Sequence, residues 1–284
     1  MKSARISAVL LLVVWLSTFH ALPRQDFPRL LQEGVPYKPP FAAGEQLTFE
    51  VNWKPLFFIP ALKAGEIRLS IEQSNYQGHQ TYRIQAWADS AGTLTRMVGF
   101  RVRNYFESQV DRRTFRSYRI LQQTRQGNRQ RDLELRFDYD HDETIVHETD
   151  PSTNPPRVLR DAVKKGIPLL PVDVISVFYV ARVRAIDPGE QFSVDLNERG
   201  DFRQIRVVAQ DTEKVDTPVG EFPSLRLSTT GGLFREGGDF RIWLSLDDRR
   251  VPTQFETDVK FGRVYGKLTR LQTPTFSRRV VRLP

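Results

Sequence analysis

Period-two alternation of apolar and polar residues predicts an all-β protein: a curved antiparallel sheet or half-open barrel, with one helix between or across its parts. Three observations carry this. Leu47, Phe49, Val51 and Trp53 alternate with Thr48, Glu50 and Asn52, and the same rhythm recurs from Ile67 to Glu72, Leu133 to Asp140 and Phe240 to Leu246. Such strands have one dry and one wet face, which suits antiparallel sheets, whereas parallel strands covered on both faces are apolar throughout. Turn-forming residues separate the runs at 75–78, 126–128, 187–189, 198–201 and 231–238.

One segment departs from the alternation. Asp173 precedes Val174, Ile175, Val177, Phe178, Val180, Ala181 and Val183, and the run stops before Asp187-Pro188-Gly189. Asp173 is a good N-cap and the arginines near the end suit a helix C-terminus, so a helix is preferred over 173–184. A buried strand is the rival, since β-branched residues are poor helix formers. Ala43-Gly44-Glu45-Gln46-Leu47 is echoed by Pro188-Gly189-Glu190-Gln191-Phe192, and Asp111-Arg112-Arg113 by Asp248-Arg249-Arg250. The 41–272 β-domain is therefore open to division into two similar units, 41–160 and 186–272, joined by the helical segment. Residues 22–40 read as a Pro-punctuated linker or extended arm, and 273–284 as a tail.

Lys2 and Arg5 precede an apolar stretch from Ile6 to Phe19, and Ala21 follows. This is the pattern of a secretory signal peptide over 1–21, too short for a comfortable transmembrane span. The expected destination is periplasmic or secreted. Cysteine is absent from all 284 residues, which excludes lipoprotein modification, disulfides and thiolate chemistry. The net charge of +8, about +6 without Lys2 and Arg5, is spread over the strands. In an exported chain it points to anionic lipids or cell-wall polymers, and nucleic acid is not an expected partner.

With these landmarks in place, the chain resembles the bacterial family known as domain of unknown function 3108. The resemblance rests on Phe41 to Val51, the Ala64-Gly65 turn, Asp173 to Tyr179, Asp216 to Phe222 and Ile242 to Pro252. It covers about residues 40–270 and implies an exported envelope protein, with no catalytic residues to carry over. The stretch from Lys54 to Lys63 is longer and more apolar than the short turn expected there.

Catalytic and metal-binding candidates are weak. His141 and His147 lie among carboxylates, but a solvated acidic hairpin explains them better than a metal site. Asp111, Asp247 and Asp248 stand at Arg-Arg turns, where Asp commonly bonds its own backbone; a glycan or ester hydrolase is the least favoured reading. No G-x-S-x-G elbow or phosphate loop is present. No cofactor or metal is expected. The basic stretch from Arg96 to Arg119 is interleaved with Phe100, Tyr105, Phe106, Phe115 and Tyr118; on strands most of the aromatics are expected on the core face and the arginines on the wet face.

The most informative stretch is Pro55-Leu56-Phe57-Phe58-Ile59-Pro60-Ala61-Leu62, uncharged and bracketed by Lys54 and Lys63. It either closes the core or forms an apolar lip that touches a membrane or gates a lipophilic cavity. The leading expectation is a non-enzymatic envelope protein that holds a lipophilic or amphiphilic molecule on its apolar concave face, with Trp53, Leu56, Phe57, Phe58 and Ile59 as binding residues. The alternative is a structural or assembly module that binds an envelope protein or anionic polymer through a basic face containing Arg112 and Arg113.

Overall fold

A computed structural model describes residues 39–56, 60–92, 101–183, 186–230, 233 and 238–274. Up to the helix, the alternating runs become β1 (Glu45–Pro55), β2 (Leu62–Tyr76), β3 (His79–Ser90), β4 (Val102–Asp111), β5 (Ser117–Gln126), β6 (Arg129–Asp138), β7 (Glu143–Asp150), β8 (Arg157–Lys165) and β9 (Pro171–Val172). After α1 (Ser176–Val183) come β10 (Gln191–Glu198), β11 (Asp201–Thr217), β12 (Gly220–Thr230), β13 (Phe240–Ser245), β14 (Pro252–Val259) and β15 (Gly262–Gln272). All belong to one sheet, in the order β8-β7-β6-β5-β4-β3-β2-β1-β15-β14-β13-β12-β11-β10-β9. Every neighbouring pair is antiparallel except β9 with β10. The predicted fold class is the observed one: an open, curved antiparallel sheet with one short helix among the described residues.

Two meanders meet at the centre, where β1 pairs with β2 on one side and β15 on the other. Curvature then brings the far parts together. The β10–β11 turn docks on the inner face of β6–β8: Phe202 lies 6.3 Å from Phe137, and Arg199 pairs with the buried Glu148. Arg160 donates to the Arg199 carbonyl at 2.6 Å and sits 3.4 Å from Glu148. A smaller cluster of Ile120, Leu133, Leu135, Phe137 and Val146 fills this region, apart from the main core.

Within the predicted 173–184 segment, Ser176–Val183 form a helix because its ends are satisfied. Asp173 Oδ1 accepts from the Ile175 and Ser176 amides at 2.8 and 3.1 Å, and the Ser176 hydroxyl accepts from the Asp173 amide at 2.9 Å. Ser108 of β4 donates to Asp173 Oδ2 at 2.6 Å, tying the cap to the sheet. At the other end, Arg184 lies outside the described residues. Arg182 turns inward, and Arg250 from the β13–β14 turn instead donates to the Arg182 carbonyl at 2.8 Å.

Arg182 and Glu45 form a bidentate pair at 2.5 and 2.9 Å, with side chains 0% and 1% exposed. The guanidinium also donates to the Arg249 carbonyl at 3.2 and 3.0 Å and lies 5.2 Å from the Phe41 ring. Because Ser108, Ile84, Ile71 and Glu45 stand opposite one another across β4, β3, β2 and β1, both ends of α1 are anchored near the same level of the sheet. The helix therefore crosses the strands and covers one part of the concave face.

Candidate functional site: the mouth of the concave face

The inward-facing row is sealed near α1 and opens away from it. Leu47, Phe49, Leu69, Ile84 and Leu268 are all buried. Pairing continues the same face through Val51 and Trp53 of β1, Leu62 and Ile67 of β2, Ala88 of β3 and Val264 of β15. Phe106 of β4, opposite Ala86, belongs to it too. These seven residues are only half-buried. Thus the apolar lining runs past the closed core and reaches solvent at the end where β1 meets β2 and β14 meets β15.

The space under α1 is small. A cavity of about 30 Å³ is lined by Val177, Phe178, Phe192, Leu227, Phe240 and Ile242, among others. Small-molecule sites usually span roughly 300–1,000 Å³. The helix therefore fills this half of the concave face, and the mouth is the place where an apolar group could be accommodated.

Two glycines shape the mouth. The expected Ala64-Gly65 turn is instead part of β2, opposite a bulge at Val51/Asn52. A Cβ on Gly65 would come within 2.3 Å of the Asp89 carbonyl oxygen, so β3 could not approach as it does. Gly262, at φ +135°, would place a Cβ 2.1 Å from the Lys54 carbonyl oxygen. That close approach sets the β14–β15 turn against the end of β1, with Pro55 paired to Gly262.

Of the residues singled out in the sequence, Trp53 lies on the inner face of the mouth and Leu56 on its rim, 69% exposed. Phe57, Phe58 and Ile59 lie outside the described residues. Lys63 reaches Glu50 at 2.7 Å, and this hydrogen bond raises the lysine pKa and lowers that of the carboxyl. Arg112 and Arg113 occupy the β4–β5 turn, toward the opposite end of the strands. Arg112 lies 5.5 Å over the Tyr82 ring, and Arg113 is exposed.

Of the aromatics in the basic stretch, Phe106 and Phe115 turn inward while Tyr105 and Tyr118 do not, and Phe100 lies outside the described residues. Tyr105 opposes Trp87 on the outer face, with rings 5.5 Å apart, and Tyr118 stacks on His79 at 4.4 Å. Strand parity decides this, since Tyr105 is one residue out of step with Phe106. Arg68, Arg101, Arg103 and Arg125 surround the Trp87–Tyr105 pair in an open outer groove.

Of the carboxylates weighed for catalysis, Asp111 and Asp247 brace turns, and Asp248 lies in the same β13–β14 turn as Asp247. Asp111 Oδ1 accepts from the Arg113 and Thr114 amides at 2.8 Å each. Asp247 accepts from the Arg249 amide at 3.2 Å and the Ser245 hydroxyl at 2.7 Å. His141 Nδ1 meets Asp138 at 2.8 Å, and His147 lies 3.7 Å from Asp161. Among the described residues no three His, Cys, Asp or Glu side chains gather as a metal-binding group. No helix among them is long and apolar enough to cross a membrane.

Sequence reasoning missed the Glu45–Arg182 pair and the mouth residue Phe261. Signals for both existed. Glu45 has the parity of Leu47 and Phe49, and Arg182 follows Ile175 and Tyr179 at helical spacing, so each is a charge on an apolar face. Phe261 is an apolar residue in a two-residue hairpin turn, 64% exposed.

A model of the family described as "Protein of unknown function (DUF3108)" matches residues 48–269. No curated protein matches the sequence. Among solved structures, the chain is similar to a β-barrel-like protein of domain of unknown function DUF1849 from Brucella abortus. That match has a TM-score of 0.53 at 12% identity, covering 83% of this chain and 99% of that one. A Bacteroides fragilis protein with a YmcC-like fold, described as a candidate exported protein, matches at 11% identity over 84% of this chain and 99% of that one. Its TM-score of 0.28 carries no argument. The first likeness supports the β-barrel-like fold alone.

Proposed function

The chain belongs to the DUF3108 family, and we propose that it is a non-catalytic cell-envelope protein holding the apolar part of a lipophilic or amphiphilic molecule in the mouth of its concave face. One observation carries this reading: the inward apolar row of Val51, Ile67 and Phe106, packed against the sealed core, runs on through Trp53, Leu62 and Val264, and all of these stay only partly buried. Apolar surface left open on a concave face lowers its free energy by accepting an apolar occupant. Each methylene buried there contributes about 0.8 kcal/mol, or close to a fourfold gain in affinity.

A fatty-acid series of increasing chain length, titrated against an apolar fluorescent dye, tests this. Affinity should climb about fourfold per methylene until the mouth is filled. Trp53→Ser with Phe106→Ser should abolish the trend while leaving the circular dichroism spectrum unchanged. Organic extracts of protein purified from native envelopes should contain a stoichiometric lipid. An empty extract together with no dye binding would refute the reading. Retention on anionic cell-wall polymer, lost when Arg101 and Arg103 are replaced, would instead move the function to the outer groove.

A further inference from the structure

Among the described residues, the two most exposed large hydrophobic side chains are Leu56, at 69%, and Phe261, at 64%. They belong to different loops, yet Pro55 pairs with Gly262, which makes them neighbours on one rim of the mouth. Single exposed apolar residues are ordinary on a protein surface, but two placed side by side at the tip of adjoining strands form a protrusion.

The charge around them has one sign in excess. Lys54 and Arg263, paired across β1 and β15, and Lys260 adjoin the pair, and Lys63 stands near the start of β2 opposite Asn52. Glu50 takes Lys63, and Asp258 takes Arg263 at 2.9 Å. Lys54 and Lys260 form no ion pair with the described residues, and the Lys260 ammonium rests 5.3 Å over the Phe261 ring. An apolar tip with a cationic collar complements an anionic bilayer, where rings and aliphatic side chains enter the acyl boundary and ammonium groups meet phosphates.

We propose that the rim of the mouth docks on the surface of an anionic lipid bilayer, with Leu56 and Phe261 inserted and Lys54 and Lys260 at the headgroups. This rests on the reading of the mouth as a lipophilic site and deepens it. Docking in this pose turns the open apolar row of Trp53 and Val264 toward the membrane, so a lipophilic molecule passes between bilayer and protein without crossing water.

Flotation of the envelope-purified protein with phosphatidylglycerol vesicles, compared with phosphatidylcholine vesicles, tests the docking. Wild type should float with the anionic vesicles and lose binding as salt rises. Leu56→Ser with Phe261→Ser, both at exposed positions, should weaken vesicle binding by at least about tenfold. Lys54→Ala with Lys260→Ala should remove the preference for phosphatidylglycerol, with roughly fivefold lost per lysine. Dye binding in the mouth separates the two readings, because the Lys54/Lys260 variant should keep it. Vesicle binding unchanged in the Leu56/Phe261 variant, or no wild-type binding to either vesicle, would overturn the proposal. Wild-type docking without any dye binding would refute the lipophilic mouth and leave the docking standing.

Discussion

Replacing Arg182 with Met would strip the guanidinium from a site closed to the protein surface, where its side chain is 0% exposed. The Glu45 carboxylate, whose side chain is 1% exposed, would lose both of its charged hydrogen bonds, at 2.5 and 2.9 Å. The Arg249 carbonyl would lose two more. Breaking a buried pair from one side costs about 3–5 kcal/mol, because an uncompensated charge is left in a poor solvent. For a domain of this size each kcal/mol lowers Tm by about 2–4 °C, so the expected loss is on the order of 10 °C. Removing both charges, in Arg182→Met with Glu45→Leu, leaves mainly the Arg249 carbonyl unpaired, at a cost of about 1–3 kcal/mol. Urea unfolding followed by circular dichroism across the four-member cycle should therefore give a double variant more stable than the sum of the singles predicts. The coupling should be at least about 2 kcal/mol. Single variants within about 1 kcal/mol of wild type, or strictly additive losses, would refute the view that this pair is desolvated and holds α1 in place.

Two further outcomes follow from local geometry. Asp173→Ala should cost roughly 2–3 kcal/mol, since the α1 cap disappears and the buried Ser108 hydroxyl loses its acceptor; Asp173→Ser, measured by the same unfolding curves, should recover part of it. The exposed His141 imidazole is held above its ordinary pKa of 6.5 by its hydrogen bond to Asp138, whose own carboxyl is correspondingly lowered. Its contribution to stability is complete below the unfolded value and fades as pH rises through the folded one. An NMR titration should place the His141 midpoint above 6.5, and Asp138→Asn should bring it back.

Much of the fold was legible because strand formation leaves a local trace. The alternation of β1, β2, β6 and β13 predicted their dry faces, and the buried residues Leu47, Phe49, Leu133, Leu135 and Ile242 are those the rhythm selects. The helix at 173–184 was legible from its cap despite its β-branched residues, because packing against the sheet outweighs weak intrinsic propensity. The Ala64-Gly65 turn was misread for a reason the sequence hides: glycine serves a turn and a crowded strand crossing equally well. Tyr105 takes the outer face because it stands one residue out of phase with the inward Phe106, and Tyr118 does so because it is the extra residue of a bulge between Ser117 and Arg119, where the alternation is interrupted.

The mouth divides along the same line. Its apolar inner row and the unusual composition of residues 54–63 are properties of consecutive residues, so the sequence alone pointed to Trp53 and Leu56. That Phe261 stands beside Leu56, that Glu45 meets Arg182 across 137 positions of chain, and that α1 fills one half of the concave face while the other stays open were decided by tertiary structure. Alternation states which face a residue takes. Only the pairing of β1 with β15 and the curvature of the sheet determine what that face meets.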